Sequence, residues 1–221
     1  MHIIRTGVFG VNTLIVPCGE KYCFVVDPAA CSLSGDENKI VNYLNDKKME
    51  CVGIVLTHSH FDHITGIAPV KAAFPESKIA IHEAEFAEMQ NPPGPMNDSV
   101  IRFFGALDLL NEVAKQPSAE LSFNEGSTLE ILSENPVIKE NLKNWKVLHT
   151  PGHTPGSVCL YNKQEKILIS GDTLFDYGGY GRTDMYGGNE AQIISSLARI
   201  KKDVEPGTIV YPGHDSFGFS I

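Results

Sequence analysis

The stretch Leu56–Gly66, "LTHSHFDHITG", places His58, His60, Asp62 and His63 within six positions. An apolar core has no use for so many imidazoles, because each buried ring nitrogen needs a hydrogen-bond partner. Three more donors stand in short glycine-containing motifs downstream: His153 in "TPGHTPGS", Asp172 in "ISGDTLF" and His214 in "YPGHDS". Singly, each is ordinary: a turn or core histidine, or an aspartate capping a helix. Together they supply imidazole and carboxylate donors without a thiolate, a set that suits zinc, iron or manganese. His58 and His60 are two apart, so an extended backbone points both side chains the same way. Asp62 and His63 lie beyond the following turn. The spacing divides the donors into His58, His60 and His153 for one ion and Asp62, His63 and His214 for a second, with Asp172 placed to bridge. Two ions so bridged would lie about 3.5–4 Å apart and share a hydroxide.

The elements that must position these donors are legible as apolar runs. "HIIRTG", "VNTLIVPCG" and "KYCFVVDP" are short strand patterns punctuated by glycine and proline. A helix is predicted over 36–48, with Ile40, Val41, Tyr43 and Leu44 as its apolar stripe. "CVGIVLTH" is a continuous apolar run, as expected of a central strand buried on both faces, and it delivers the histidine cluster at its end. A helix over 64–73 and the strand "KIAIHE" follow. The second half repeats the theme with strands "WKVLHTPGH", "SVCLYN", "KILISGD" and "TIVYPGH" and a helix over 189–204, where Asn189 and Gln192 resemble a capping box. Two such runs predict two similar halves: one four-layer αββα domain spanning 1–221, with sheets face to face and helices outside. Residues 84–118 interrupt the pattern, with "NPPGPMN" as loop and Val100–Val113 as one amphipathic helix. Carboxyl ends of strands in α/β sheets are where sites form.

Composition narrows the chemistry. The chain has 221 residues, 42% hydrophobic and 20% charged. Such a balance fits a globular domain with a substantial core. Its net charge of −9 argues against a nucleic-acid partner, which needs a basic face. No apolar run approaches the roughly 18 residues of a membrane span, and the start carries no secretory pattern. Five cysteines without a CxxC pair are expected to be reduced thiols of a cytoplasmic protein.

The pattern T-H-x-H-x-D-H, here "THSHFDH", with "TPGHTPGS", "SGDTLF" and "YPGH", resembles the metallo-β-lactamase superfamily over nearly the whole chain. Within it the sequence is similar to the glyoxalase II group, the hydroxyacylglutathione hydrolases; "DTLF" followed by "GRTD" (181–184) is most like the short bacterial members. The resemblance implies the αββα fold and seven metal ligands: His58, His60, Asp62, His63, His153, Asp172 and His214. It also implies two divalent ions, zinc first, with iron or manganese as alternatives. The implied reaction is hydrolysis of a thioester or related acyl compound by a metal-bridging hydroxide, with Asp62 and Asp172 orienting it. Asp172 stands where β-lactamases of the commonest subclass have a cysteine, which argues against lactams. The chain ends seven residues after His214, short of the helical segment that grips glutathione in full-length relatives. Persulfide dioxygenase-like iron enzymes share these motifs and would use His58, His153 and Asp172. A relative that binds metal without catalysis is the third reading.

Beyond the donors, the family aspartate at Asp27 in "VVDPAA" supports a histidine ligand; otherwise Asp27 makes a turn before Pro28. Arg182, in the glycine- and tyrosine-rich stretch 175–188, is a candidate to hold a substrate carboxylate, and pairing with Asp184 is the alternative. Phe103 and Phe104 either cap the site or pack in the core. His82 and His149 are expected to be structural. The expected partner is a small acyl compound, anionic if Arg182 anchors it. Neither nucleic acid nor membrane is expected to take part, and self-association is left open.

Overall fold

The computed structural model describes residues 1–221. Its first sheet takes the strands in chain order: β1 (His2–Thr6), β2 (Val11–Pro17), β3 (Tyr22–Val26), β4 (Glu50–Val55), β5 (Lys78–His82) and β6 (Leu121–Phe123). The second runs β11 (Phe219–Ser220), β10 (Ile209–Pro212), β9 (Ile167–Gly171), β8 (Val158–Asn162) and β7 (Trp145–His149).

The continuous apolar runs follow from burial on both faces. Ile15, Val25, Ile54 and Ile79 are register neighbours across β2–β5 and face one way. They pack with helices α1 (Lys39–Asp46), α2 (Phe61–Ile64) and α3 (Ile67–Ala73) through Ile40, Leu44, Ile64, Ile67 and Val70. One residue on, Leu14, Val26, Val55 and Ala80 face the second sheet, where Trp145, Val147, Val158, Leu160 and Ile169 meet them. The alternate residues of that sheet, Leu148, Cys159, Tyr161, Leu168 and Val210, pack on Ile200 and Val204 at the outer helix. The four layers expected from sequence are present.

The halves also match in connectivity. In each, two antiparallel pairings (β1–β2–β3 and β7–β8–β9) lead to a parallel pair reached through a helix. Parallel neighbours need such a crossover. It is α1 between β3 and β4, and the long outer helix Glu190–Asp203 between β9 and β10. Asn189 caps that helix by accepting the Gln192 amide at 3.0 Å, as its sequence predicts.

Several expectations are corrected. The helix predicted over 64–73 is two pieces, broken at Thr65–Gly66, because Gly66 donates to the Pro28 carbonyl and a side chain there would meet the Ala30 nitrogen at 2.8 Å. The insertion begins with α4 (Glu83–Phe86). "NPPGPMN" is not all loop: Pro95 opens α5 (Pro95–Phe103), where proline's missing N–H costs nothing. The single helix predicted over Val100–Val113 is interrupted after Phe103, and α6 spans Asp108–Ala114. Gly105 adopts φ 65° at the break, a left-handed conformation that commonly ends helices. Residues 119–144, left unassigned in the sequence, hold β6 and α7 (Pro136–Leu142), the latter capped by Asn135. The outer helix is then α8 (Glu190–Asp203). Its Ile193 and Ile200 are buried, whereas Ile194 faces solvent.

A candidate metal centre

The loop after β4 carries His58 and His60, and α2 then presents Asp62 and His63. His153 arrives in the loop between β7 and β8, Asp172 directly after β9 and His214 shortly after β10. All seven converge where strand ends of the two sheets meet. Ligand atoms of His58, His60 and His153 lie within 4.8 Å of one another, as do those of Asp62, His63 and His214. These are the two groups the spacing predicts. Asp172 faces both, with Oδ2 at 3.5 Å from His153 Nε2 and Oδ1 at 3.5 Å from His63 Nε2.

Outer contacts aim these rings. His153 Nδ1 donates to the Arg182 carbonyl at 2.7 Å, which turns the Nε2 lone pair inward. Asp27 holds His63 Nδ1 at 3.0 Å and accepts both the amide (2.8 Å) and the hydroxyl (2.6 Å) of Thr57. It does so at φ 49°, a left-handed backbone that aspartate tolerates better than most residues. The turn reading of Asp27 is thereby displaced by contact with a histidine of the cluster. A further triad, Asp27–His58–His63, is close enough to hold an ion, but the Asp27 oxygens are already committed. Bare backbone completes the enclosure: a side chain on Gly213 would sit 2.7 Å from His63 Cε1, and one on Gly181 2.6 Å from His153 Nδ1.

The donors fit divalent cations. His58 Nε2, His60 Nε2, His153 Nε2 and Asp172 Oδ1 are buried with no hydrogen-bond partner, an arrangement that is costly unless something else satisfies them. His63 Nε2 and His214 Nε2 face each other at 3.2 Å, so a proton or a cation must lie between two acceptors. Burial opposes charge on His63, yet Asp172, Asp62 and Asp27 outweigh it and raise its pKa to about 10. Despite its own burial, Asp62 is held far below the usual carboxylate range by His63 and His214. His58 and His60 are pushed well down by burial and by neighbouring histidines, which keeps them as neutral donors. One side of the cluster thus attracts positive charge, and the other offers lone pairs.

The sequence pattern of the metallo-beta-lactamase superfamily matches residues 5–214. The chain belongs to the metallo-β-lactamase superfamily. It is 33% identical to the probable metallo-hydrolase YqgX of Bacillus subtilis over 88% of this chain and 81% of that protein. It is 26% identical to the hydroxyacylglutathione hydrolase GloC of Haemophilus influenzae over 98% and 91%. Among solved structures it resembles the BLEG-1 B3 metallo-beta-lactamase (26% identity, TM-score 0.78, covering 99% of this chain and 93% of that one). It also resembles TTHA1623 in a di-iron-bound form (25% identity, TM-score 0.75, 98% and 93%). The metallo-β-lactamase fold and its histidine clusters imply divalent metal. No helix is long and apolar enough to cross a membrane, and all five cysteines are free and buried.

The cluster floors a cleft of about 340 Å³ walled by Phe9, Phe61, Val100, Phe104, Phe175 and Met185. Arg182 lines its rim, but its guanidinium donates two parallel bonds to Asp184 at 2.9 and 2.8 Å, the alternative reading of that residue. Phe104 does reach the cleft, whereas Phe103 stays outside its lining. His82 and His149 stack on each other at 4.0 Å, apart from the donors.

Glu85 escaped the sequence reading. It is 2% exposed, and its two oxygens accept the Ser59 amide at 2.6 Å and the Gly156 amide at 2.7 Å. It therefore ties the His58–His60 loop to the His153 loop. In "HEAEFAEM" it looks like one more solvent-facing glutamate, and no local signal marks it. Glu88, three residues on, accepts the Met96 and Asn97 amides at the start of α5, and Asn97 then donates to the Ser59 carbonyl at 2.7 Å. The inserted segment is thus built into the support of the site.

Proposed function

We propose that this chain is a two-metal hydrolase that cleaves thioesters or related small acyl compounds. The observation that carries this is the placement of Asp172 against both donor groups on the floor of an open cleft. His58, His60 and His153 would hold one ion, Asp62, His63 and His214 the other, with Asp172 shared. Zinc is the ion proposed; iron is the alternative, in keeping with the di-iron form of TTHA1623. When bound, such ions supply Lewis acidity and bring the pKa of water from about 15.7 to about 7.

The remaining work belongs to the chain. Asp27 and the Arg182 carbonyl fix the two histidine tautomers, and the bare backbone at Gly181 and Gly213 packs directly against His153, His63 and Asp172. In the overall reaction a water oxygen bonds to the acyl carbon, the carbon–sulfur bond breaks, and the sulfur leaves with the electron pair and takes a proton. Likeness to the hydroxyacylglutathione hydrolase GloC supports the thioester class.

Elemental analysis paired with a thioester panel, including lactoylglutathione, tests the reading. The expected result is about two ions per chain and release of free thiol. Likeness to a B3 metallo-beta-lactamase places a chromogenic cephalosporin in the same panel. Oxygen uptake with glutathione persulfide, without thioester cleavage, would replace hydrolysis by the mononuclear iron reading through His58, His153 and Asp172. A chain that holds no metal and takes up no zinc, iron or manganese would be a non-catalytic relative.

A further inference from the structure

Three aromatic rings from separate parts of the chain meet at the mouth of the cleft. Phe9 comes from the turn between β1 and β2, Phe61 from α2 and Phe104 from the end of α5. Phe9 lies 5.5 Å from Phe61, edge to face, and 6.3 Å from Phe104; Phe61 and Phe104 are 6.5 Å apart. Phe9 and Phe104 remain 43% and 42% exposed. Contiguous exposed apolar surface beside a polar site marks a contact for something else. Phe61 stands between His60 and Asp62 in sequence, so the apolar surface rises directly from the donors.

The charge around this wall is as informative. Among the residues lining the cleft the one lysine or arginine is Arg182, which is already paired with Asp184. Its guanidinium also lies over Phe104, 5.5 Å from the ring centre. A cation so placed is attracted by the ring face, which holds it against the wall rather than offering it to the interior. Beyond the proposed metal ions, a substrate with several carboxylates would find no unpaired lysine or arginine in the lining. A neutral, ring-bearing or branched chain would find the exposed rings of Phe9 and Phe104, backed by Phe61, which is itself only 3% exposed.

Resting on the hydrolase reading above, we infer that the Phe9–Phe61–Phe104 wall binds the acyl half of the substrate, and that this half is an uncharged aromatic or branched apolar group. The acyl half is assigned to the wall because the leaving sulfur gains negative charge as its bond to carbon breaks. Phenyl surface disfavours a developing anion, whereas it welcomes an apolar chain. The products are then an apolar carboxylic acid and a free thiol, with water as the only co-reactant.

Matched acetyl and phenylacetyl thioesters of N-acetylcysteamine test this with the metal-loaded protein. The phenylacetyl ester is expected to show kcat/KM about tenfold higher, the scale set by a small apolar group in a pocket. F104A and F9A, in separate elements, are each expected to reduce that ratio by at least about threefold. Titration of the metal-free protein with phenylacetate and acetate gives a readout independent of turnover, and phenylacetate should bind more tightly. Cleavage of both esters at equal efficiency overturns this inference and leaves the hydrolase reading standing. Cleavage of neither overturns both. If F104A and F9A lower the mass of the protein in solution and leave the ester ratio unchanged, the wall joins two copies of the chain and the inference fails.

Discussion

Glu85 and Gly156 are joined by a buried hydrogen bond of 2.7 Å from the glycine amide to a carboxylate oxygen. A side chain on Gly156 would lie 2.9 Å from Glu85 Cγ, so the close approach depends on the bare backbone. The other oxygen holds Ser59, between His58 and His60. Glu85→Gln replaces one acceptor by a donor and leaves one buried amide unmatched, at a cost of about 1–3 kcal/mol. The expected outcome is a lower urea midpoint for the metal-free protein and weaker binding of the first ion. Unchanged metal affinity would show that the two loops hold their geometry without the tie.

Asp172→Ala removes the one side chain that faces both donor groups. Elemental analysis should find fewer than two ions per chain, and thiol release should fall with it. Near-normal occupancy of two ions would contradict the shared role.

Asp27→Asn keeps the shape of a side chain that touches His63 but removes the charge that fixes its ring. Loss of such an outer partner typically weakens metal binding about 10–100-fold. Competition with a chromogenic chelator reads this directly, and an unshifted curve would leave Asp27 as support for Thr57 alone.

Arg182→Ala should affect acidic and neutral substrates to the same degree, because the guanidinium is spent on Asp184 and on the rings of Phe103 and Phe104. Arg182→Lys should behave similarly, since lysine keeps the charge but not the planar fork. A KM increase confined to acidic substrates would restore the carboxylate anchor.

His82 is lowered to about 4, by burial first and then by His149 beside it. The unfolded chain, with an ordinary value of 6.5, therefore binds more protons at this residue between the two values. Stability at His82 is full above about 6.5, falls as the pH drops towards 4 and levels off below. Urea midpoints of metal-free wild type and His82→Gln, measured across that range, should converge as the pH falls. Parallel curves would mean that His82 is not protonated more readily in the unfolded chain.

The sequence by itself determined the candidate donors and the strands that lead to them. Each of the seven sits in a short local motif at a strand end, and a strand buried on both faces is visible as an unbroken apolar run. Asn189 as a helix cap is equally local, since it bonds three residues along. Tertiary structure decided the rest. The break at Gly66 depends on the distant Pro28 carbonyl. Glu85 and Arg182 are each compatible with a plain surface role until the loops they bond are brought beside them. The apolar wall has no local signature at all, because Phe9 and Phe104 meet only after the first turn and the inserted helix fold onto the same cleft. Motifs within a few residues record chemistry that acts through neighbouring backbone; contacts across the chain exist only once packing has chosen which surfaces share a space.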